Sequence, residues 1–360
     1  MTLRSTAAKL GAALSATAWG AGVESRPVVV AHGFSWRKRA LVRDFTGRAD
    51  VRFVSRGADV PAGADLLLWG SAAVPAGVPE QVRVVRLEDG FLRSVGLGAD
   101  LTRPISWVLD TRGIYYDART PSDMEVLLQT TLFSESVKQR AKALMRQVVQ
   151  SGLSKYNLGG APWSRPNTGR VVALVSGQVE TDASIATGTV DIRTNMALLQ
   201  AVRRARPDAW LVYKLHPDVV AGLRRVGTQE EQASQWADEV LTQGSPAQLF
   251  PLVDEVHVMT SLTGFEALLR HKPVFCYGQP FYAGWGLTHD RHAHPRRTRR
   301  LTLDELVAGA LLFYPVYVSC QSRKRCTPEQ ALQELVAWRG LTQGRLSWWR
   351  RVLRPLLARA

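Results

Sequence analysis

Near the middle of the chain five mostly β-branched apolar residues, Val171 to Val175, run into a loop of small residues that carries Gln178, Glu180 and Asp182. A buried strand that ends in acids suits an α/β active site, because ligands of open parallel sheets bind beyond the carboxyl ends of the strands. Glu88 and Asp89 stand in the same way behind the strand-like run Val82–Leu87. An ordinary βα loop whose acids cap the next helix also fits the middle stretch. A third feature is Lys214-Leu215-His216-Pro217 at the end of the run Trp210–Leu215. Proline stops that run from continuing as a central strand, which sets His216 at a sheet edge facing a cleft; a structural histidine is the plain alternative. The fourth is Thr260-Ser261-Leu262-Thr263-Gly264-Phe265-Glu266. Hydroxyls and glycine at a helix start suit a phosphate, and also suit a Ser/Thr cap with Glu266 closing a capping box. The sequence has no Walker loop, no GxGxxG fingerprint and no Asp-x-Asp pair for a nucleotide's metal. Protein groups must then neutralise any phosphate: Lys214, His216 and the Ser261–Thr263 turn. No metal and no other cofactor is expected.

These residues need elements to hold them. The first half reads as strand Pro27–Ala31, helix Trp36–Phe45, then strands Val51–Ser55, Leu66–Trp69 and Val82–Leu87. This β-α-β rhythm predicts a parallel sheet in a Rossmann-like domain. Leu92–Asp117, rich in Gly, Pro and aromatic residues, reads as an irregular loop system. Helices are expected from Ser122 to Leu132 and from Ser134 to Gln150. Ser151–Gly169 lacks an apolar period and reads as a linker. The second half then gives the strand Val171–Val175, helix Asn195–Ala205, strand Trp210–Leu215, a polar helical stretch Gln229–Leu241, strand Glu255–Met259, a helix through Arg270 and strand Pro273–Tyr277. The aromatic loop Phe281–Gly286 either closes over a ligand or packs beneath the last strand. The expected organisation is a poorly ordered or amphipathic tail over 1–24, a Rossmann-like domain over 25–155, a nucleotide-binding one over 156–320 and a basic helical segment over 321–360.

A chain of 360 residues has room for two such domains with separate cores. Its three cysteines, Cys276, Cys320 and Cys326, form no CxxC pair. That argues against a disulfide framework or a zinc site and points to a reducing, cytoplasmic compartment. Of the net charge of +15, residues 291–300, 323–325 and 339–360 carry +5, +3 and +6, so the body is nearly neutral. With no recognised nucleic-acid module, that distribution argues against a nucleic-acid partner. The last stretch interleaves Trp348, Trp349, Val352 and Leu353 with Arg345, Arg350, Arg351 and Arg354. It suits either an anionic membrane surface or a packed helix with a solvated basic face. The amino terminus is a weak match to a signal peptide, and no run is long enough to span a bilayer.

RLEDGFLRSVGLGADL, DTRGIYYDA, SGQVETDAS, KLHPD, TSLTGFEALLRHKPVFCYGQPFYAGWGLT and LTLDELVAGALLFYP, in order from Pro79 to Tyr317, resemble the capsule polysaccharide biosynthesis family typified by the KpsC proteins. Members of that family are retaining β-Kdo transferases. They use CMP-Kdo to build a Kdo linker on a phosphatidylglycerol-type lipid at the cytoplasmic face of the inner membrane. The resemblance implies an α/β, GT-B-like fold, two Rossmann-type domains facing across a cleft, with C-terminal helices. It implies that His216 and Pro217 and the Ser261, Thr263 and Gly264 turn hold the cytidine monophosphate of the donor, with Lys214 near its phosphate and Gln178 in the adjoining loop. Asp182 is then the expected nucleophile, Glu88 or Asp89 the acid/base, and Arg93 the partner of the Kdo carboxylate. The expected partners are CMP-Kdo, a lipid-linked or Kdo-terminated glycan acceptor, the inner-membrane surface, where the protein would be peripheral, and the capsule assembly machinery. The typical family protein carries two such modules and this chain one, and Thr181 stands where the family often has another acid. Two alternatives stay open: an inverting CMP-sugar transferase of sialyltransferase-like type, and a non-catalytic scaffold of a polysaccharide export complex.

Overall fold

A computed structural model describes residues 28–94, 103–153 and 163–342. The amino-terminal tail and the Trp/Arg-rich stretch after residue 342 lie outside them. Twelve strands occur among the described residues: β1 (Val29–His32), β2 (Arg52–Val54), β3 (Asp65–Trp69), β4 (Arg83–Asp89), β5 (Ser106–Asp110), β6 (Val172–Ser176), β7 (Trp210–Lys214), β8 (Glu239–Leu241), β9 (Glu255–Val258), β10 (Val274–Cys276), β11 (His289–Asp290) and β12 (Pro315–Tyr317). They form two six-stranded sheets, each in its own compact unit.

The first unit gathers residues up to Arg93, Arg103–Leu144 and Asp304–Leu335. Its sheet runs β12-β5-β4-β3-β1-β2. The four strands β4, β3, β1 and β2 are parallel, as the β-α-β rhythm predicts. The other edge differs: β5 turns back antiparallel on β4, placing Asp89 opposite Trp107, and β12 pairs antiparallel with β5. β5 lies inside the stretch expected to be irregular. Its five residues, SWVLD, are all buried, too short and too uniformly covered to show an alternating pattern. β12 comes from residues expected in the second domain, so the chain returns to the first sheet to finish it. Pro315 is tolerated there because the strand is at an edge. The core gathers Val42, Phe45, Leu67 and Leu87 around Trp107, which stacks on Phe45 at 4.6 Å.

The second unit takes residues 145–303, and its sheet, β11-β10-β9-β6-β7-β8, is parallel throughout. β6 lies near the centre and every one of its residues is buried, which explains its unbroken apolar run. The helix Asn195–Ala205 lays Met196, Leu198, Leu199 and Val202 into the core, beside Val175, Leu211 and Tyr213. The expected helix over Gln229–Leu241 is instead a 3-10 turn, Glu230–Gln235, followed by the edge strand β8. Glu230 is responsible: its buried carboxylate accepts from Gly227 N (2.6 Å), the Tyr213 hydroxyl (2.5 Å) and Asn195 Nδ2 (3.2 Å), drawing the segment into a tight turn. No helix among the described residues is long and apolar enough to cross a membrane.

Candidate active site

In the second unit β9, β6 and β7 are neighbours and parallel, so Thr260–Ser261, Ser176–Gln178 and Lys214–His216 emerge side by side at one sheet edge. Gln178 is buried and ties two of these loops together. Its Nε2 donates to Ser184 Oγ and Thr260 Oγ1, both at 2.8 Å, and its backbone N donates to Asn195 Oδ1 at 2.9 Å. Ser176 Oγ donates to Thr263 Oγ1 (3.3 Å), and Ser261 Oγ does the same at 3.0 Å. A belt of five hydroxyls, Ser176, Ser184, Thr260, Ser261 and Thr263, therefore follows the strand ends.

Ser261 caps the helix Leu262–Leu268, accepting from Thr263 N at 3.2 Å. The N3 position is Gly264, so Glu266 sits buried inside the helix and does not close the expected capping box. Gly264 is required sterically: a Cβ there would lie 2.3 Å from the Tyr282 hydroxyl, which donates to Ser261 O at 2.5 Å. The aromatic loop takes its packing role. Tyr282 and Trp285 are fully buried, and Trp285 Nε1 donates to Phe281 O at 2.7 Å.

Lys214 ends β7 and is buried, with carbonyls in place of a carboxylate for partners: Nζ donates to Leu215 O (2.9 Å) and Thr242 O (3.4 Å). Burial lowers its pKa from 10.5 to about 8. It is thus a cation whose charge is poorly solvated and would gain from an anion. His216 caps the short turn Pro217–Val220, its Nδ1 accepting from Asp218 N at 3.2 Å. Because a backbone N–H can only donate, the neutral imidazole carries its proton on Nε2, which makes that nitrogen a donor. Pro217 fixes this geometry from the first position of the turn.

Asp182 is exposed and caps the helix Ala183–Gly188; its Oδ1 accepts from Ser184 N (2.9 Å) and Ser184 Oγ (2.8 Å). The capping reading of the loop is therefore realised. Through Ser184 and Gln178 the same carboxylate is also linked to the hydroxyl belt. Glu180 is a strap: Oε1 accepts from Asn195 N and Oε2 from Thr228 N and Oγ1, at 2.8–2.9 Å.

The remaining expected residues lie in the first unit. Glu88 and Asp89 end β4 beside the ends of β3 and β1. Arg93 is buried and its Nε donates to Asp89 Oδ2 at 2.5 Å, so the structure gives this guanidinium a carboxylate of the protein's own. Sequence reasoning missed Lys38, in the first turn of the helix Trp36–Thr46. Its Nζ lies 3.4 Å over the Trp69 ring, and burial lowers its pKa against the pull of Asp89 and Glu88. Tyr116 and Gly70 were missed as well. A Cβ at Gly70 would lie 2.6 Å from the Tyr116 hydroxyl and 3.0 Å from Glu88 Oε2, so glycine there lets the two groups approach the end of β3. The available signal was position at Gly70 alone, which directly follows the parallel strand β3. Among the described residues no three His, Cys, Asp or Glu side chains are grouped to hold a metal ion.

Residues 70–162 and 138–320 match the family described as capsule polysaccharide biosynthesis protein. The chain is 43% identical over 314 residues to the capsule polysaccharide modification protein LipA of Neisseria meningitidis serogroup A, covering 84% of this chain and 45% of that one. It is 38% identical over 322 residues to the lipopolysaccharide-processing protein LpsZ of Rhizobium meliloti, covering 85% and 73%. Two solved structures from Thermosulfurimonas dismutans KpsC are similar along 86% of this chain. One, a beta Kdo 2,7 transferase, has a TM-score of 0.73, 39% identity and 99% of its own chain covered. The other, a beta Kdo 2,4 transferase, has 0.75, 30% and 98%. The chain belongs to the capsule polysaccharide biosynthesis protein family. It spans about half the length of the Neisseria relatives, 45%.

Proposed function

We propose that this protein is a glycosyltransferase that moves Kdo from CMP-Kdo to a lipid-linked or Kdo-terminated acceptor in capsule or surface polysaccharide synthesis, retaining the anomeric configuration. The observation that carries this reading is the meeting of Lys214, His216, Ser261 and Thr263 with the Asp182 loop at one edge of a parallel sheet. The likeness of the chain to two Kdo transferases supports the choice of sugar. In this reading the units form the halves of a GT-B arrangement, with the donor on the second and the acceptor on the first.

Asp182 attacks the anomeric carbon of Kdo, and the bond from that carbon to the phosphate oxygen breaks. CMP leaves with the electron pair and gains charge, which Lys214, the Nε2–H of His216 and the Ser261 and Thr263 hydroxyls stabilise. The acceptor hydroxyl then loses its proton to Glu88 and displaces Asp182 from the sugar, a second inversion that restores the configuration. Glu88 is assigned in preference to Asp89 because an Asp89 oxygen already accepts from the Arg93 guanidinium. Arg93, paired with Asp89, keeps no role toward the Kdo carboxylate in this scheme. A lipid acceptor would bring the protein to the inner-membrane surface and its assembly machinery.

One observation favours a second reading. Asp182 Oδ1 is occupied as a helix cap, and a single displacement with a carboxylate acting only as base would need no attack from it. The test is incubation of the purified chain with CMP-Kdo and a Kdo-terminated glycolipid acceptor, followed by the anomeric configuration of the product. The β product of β-linked donor supports retention; the opposite anomer supports the single displacement; CMP binding without transfer to any such acceptor refutes the acceptor class. A His216→Ala variant with unchanged CMP affinity would take His216 out of the donor site.

A further inference from the structure

The segments that lead into β9 and β10 frame, together with the carboxyl half of the helix Glu135–Gln150, a cavity of about 430 Å³. β9 and β10 are parallel, so this cavity lies at their amino-terminal ends, whereas Thr260, Ser261 and Thr263 follow β9 at its carboxyl end. The length of the strand, roughly 13 Å at 3.3 Å per residue, separates it from the proposed donor site. A pocket of this size is within the range that accepts a small organic ligand.

Its walls combine two chemistries. Val149 and Pro251, over the buried Met145 and Phe250, give it an apolar floor, while Arg146, Arg270 and Lys272 bring positive charge, and no Asp or Glu is among the described lining residues. Arg270 is fixed in place. It donates to Glu266 O (2.9 Å) and Leu153 O (3.1 Å), and its guanidinium carbon stands 5.1 Å from the centre of the Phe250 ring. Burial lowers its pKa, opposed by the carboxylate of Glu266. Lys272 Nζ donates to Val253 O at 2.8 Å. Arg146 is exposed at the rim, and Arg339 donates to the carbonyls of Ser151 and Gly152 beside it. The two cations in the wall have backbone carbonyls for their hydrogen-bond partners, and an anion would complete them. A bare inorganic anion would leave the apolar floor in water, and a neutral apolar molecule would leave the cations uncompensated.

We propose that this cavity binds an amphiphilic phosphate, a phosphate ester with the first part of an alkyl chain attached, at a site separate from the donor site. The phosphate sits against Arg146, Arg270 and Lys272 and the chain lies on Val149 and Pro251.

The experiment is a calorimetric titration of the full chain with n-octyl phosphate below its micellar concentration, with inorganic phosphate and n-octyl glucoside as comparators. The expected result is one-to-one binding of octyl phosphate, about ten-fold or more tighter than either comparator. Arg146→Glu changes an exposed residue with no described hydrogen bond, so it is expected to leave the melting temperature and CMP affinity unchanged and to weaken octyl phosphate about ten-fold or more. Val149→Asp is expected to weaken it similarly. Equal binding of inorganic phosphate, equal binding of octyl glucoside, no binding, or an affinity indifferent to Arg146→Glu would each overturn the proposal. Flotation with phosphatidylcholine vesicles, with and without phosphatidic acid, separates the sources. Capture on the acidic vesicles that Arg146→Glu abolishes assigns the ligand to a bilayer; octyl phosphate binding without capture assigns it to a free amphiphile.

Discussion

Replacing Lys214 by Met exchanges a buried cation for an apolar side chain of similar reach. Burial lowers the Lys214 pKa from 10.5 to about 8. At about 1.36 kcal/mol per pH unit, that difference corresponds to roughly 3 kcal/mol of native-state cost near pH 7, where the ammonium is charged both folded and unfolded. Methionine removes this cost but leaves Leu215 O and Thr242 O without their donor, at about 1 kcal/mol each. The net expectation near pH 7 is a variant more stable than the wild type by ~1 kcal/mol. The pH dependence carries the sign. Between about 8 and 10.5 the unfolded wild-type chain binds a proton that the folded chain does not, so its stability rises with pH across that window. The variant lacks this rise, and the gap is expected to close or reverse near pH 10. Urea denaturation at the two pH values measures both effects, and calorimetry with CMP measures the functional cost, an affinity roughly ten- to a hundred-fold weaker. A variant less stable than the wild type at both pH values, with a parallel pH dependence and unaltered CMP affinity, would show that Lys214 is neither a buried cost to the fold nor a contact of the donor.

Three further outcomes follow from particular contacts. Asp182→Asn keeps an oxygen to cap the helix Ala183–Gly188, so its stability is expected within about 0.5 kcal/mol of the wild type while transfer is abolished; thermal melting and a transfer assay read the two, and near-normal transfer would remove Asp182 from the chemistry. Gly264→Ala drives a methyl group to 2.3 Å from the Tyr282 hydroxyl and is expected to cost about 1–3 kcal/mol. Part of that cost should return in the Gly264→Ala, Tyr282→Phe double variant, and a neutral single variant would show that the contact does not constrain the helix start. Arg93→Met leaves the Asp89 carboxylate without its guanidinium partner and is expected to cost about 3 kcal/mol. Denaturation of Arg93→Met with Asp89→Asn should recover most of it, and a loss below about 0.5 kcal/mol in the single variant would deny the pair a structural role.

The strands β1, β3, β6, β7, β9 and β10 were legible as short, largely apolar runs, and β6 with its acidic loop stands where the pattern Val171–Val175 puts it. His216 and Ser261 were legible for the same reason, since both directly follow such strands. β5 and β12 were not. A strand of three to five residues among Gly and Pro carries no usable period, and its pairing is decided by long-range contacts such as Tyr314 OH donating to Asp110 Oδ2 at 2.7 Å. The edge strand β8 was hidden behind Glu230, an acid that looks solvated in sequence and is buried in the fold. Arg93 shows the limit on side chains: its type suggests a ligand carboxylate, and only the structure supplies Asp89 four residues earlier as its partner. Lys38 escaped notice because its environment, the Trp69 face and the acids of β4, is assembled from two separate strand ends far from it in sequence.

The measurement that bears most directly on the proposed chemistry is the intact mass of the protein after brief mixing with CMP-Kdo in the absence of acceptor, for the wild type and for Asp182→Asn. The wild type is expected to gain one Kdo residue, with the adduct mapping to the peptide that contains Asp182 and discharging when acceptor is added, and the variant is expected to gain none. An adduct of the same size and rate in Asp182→Asn, or β-linked product formed at full rate by that variant, would contradict the proposed chemistry.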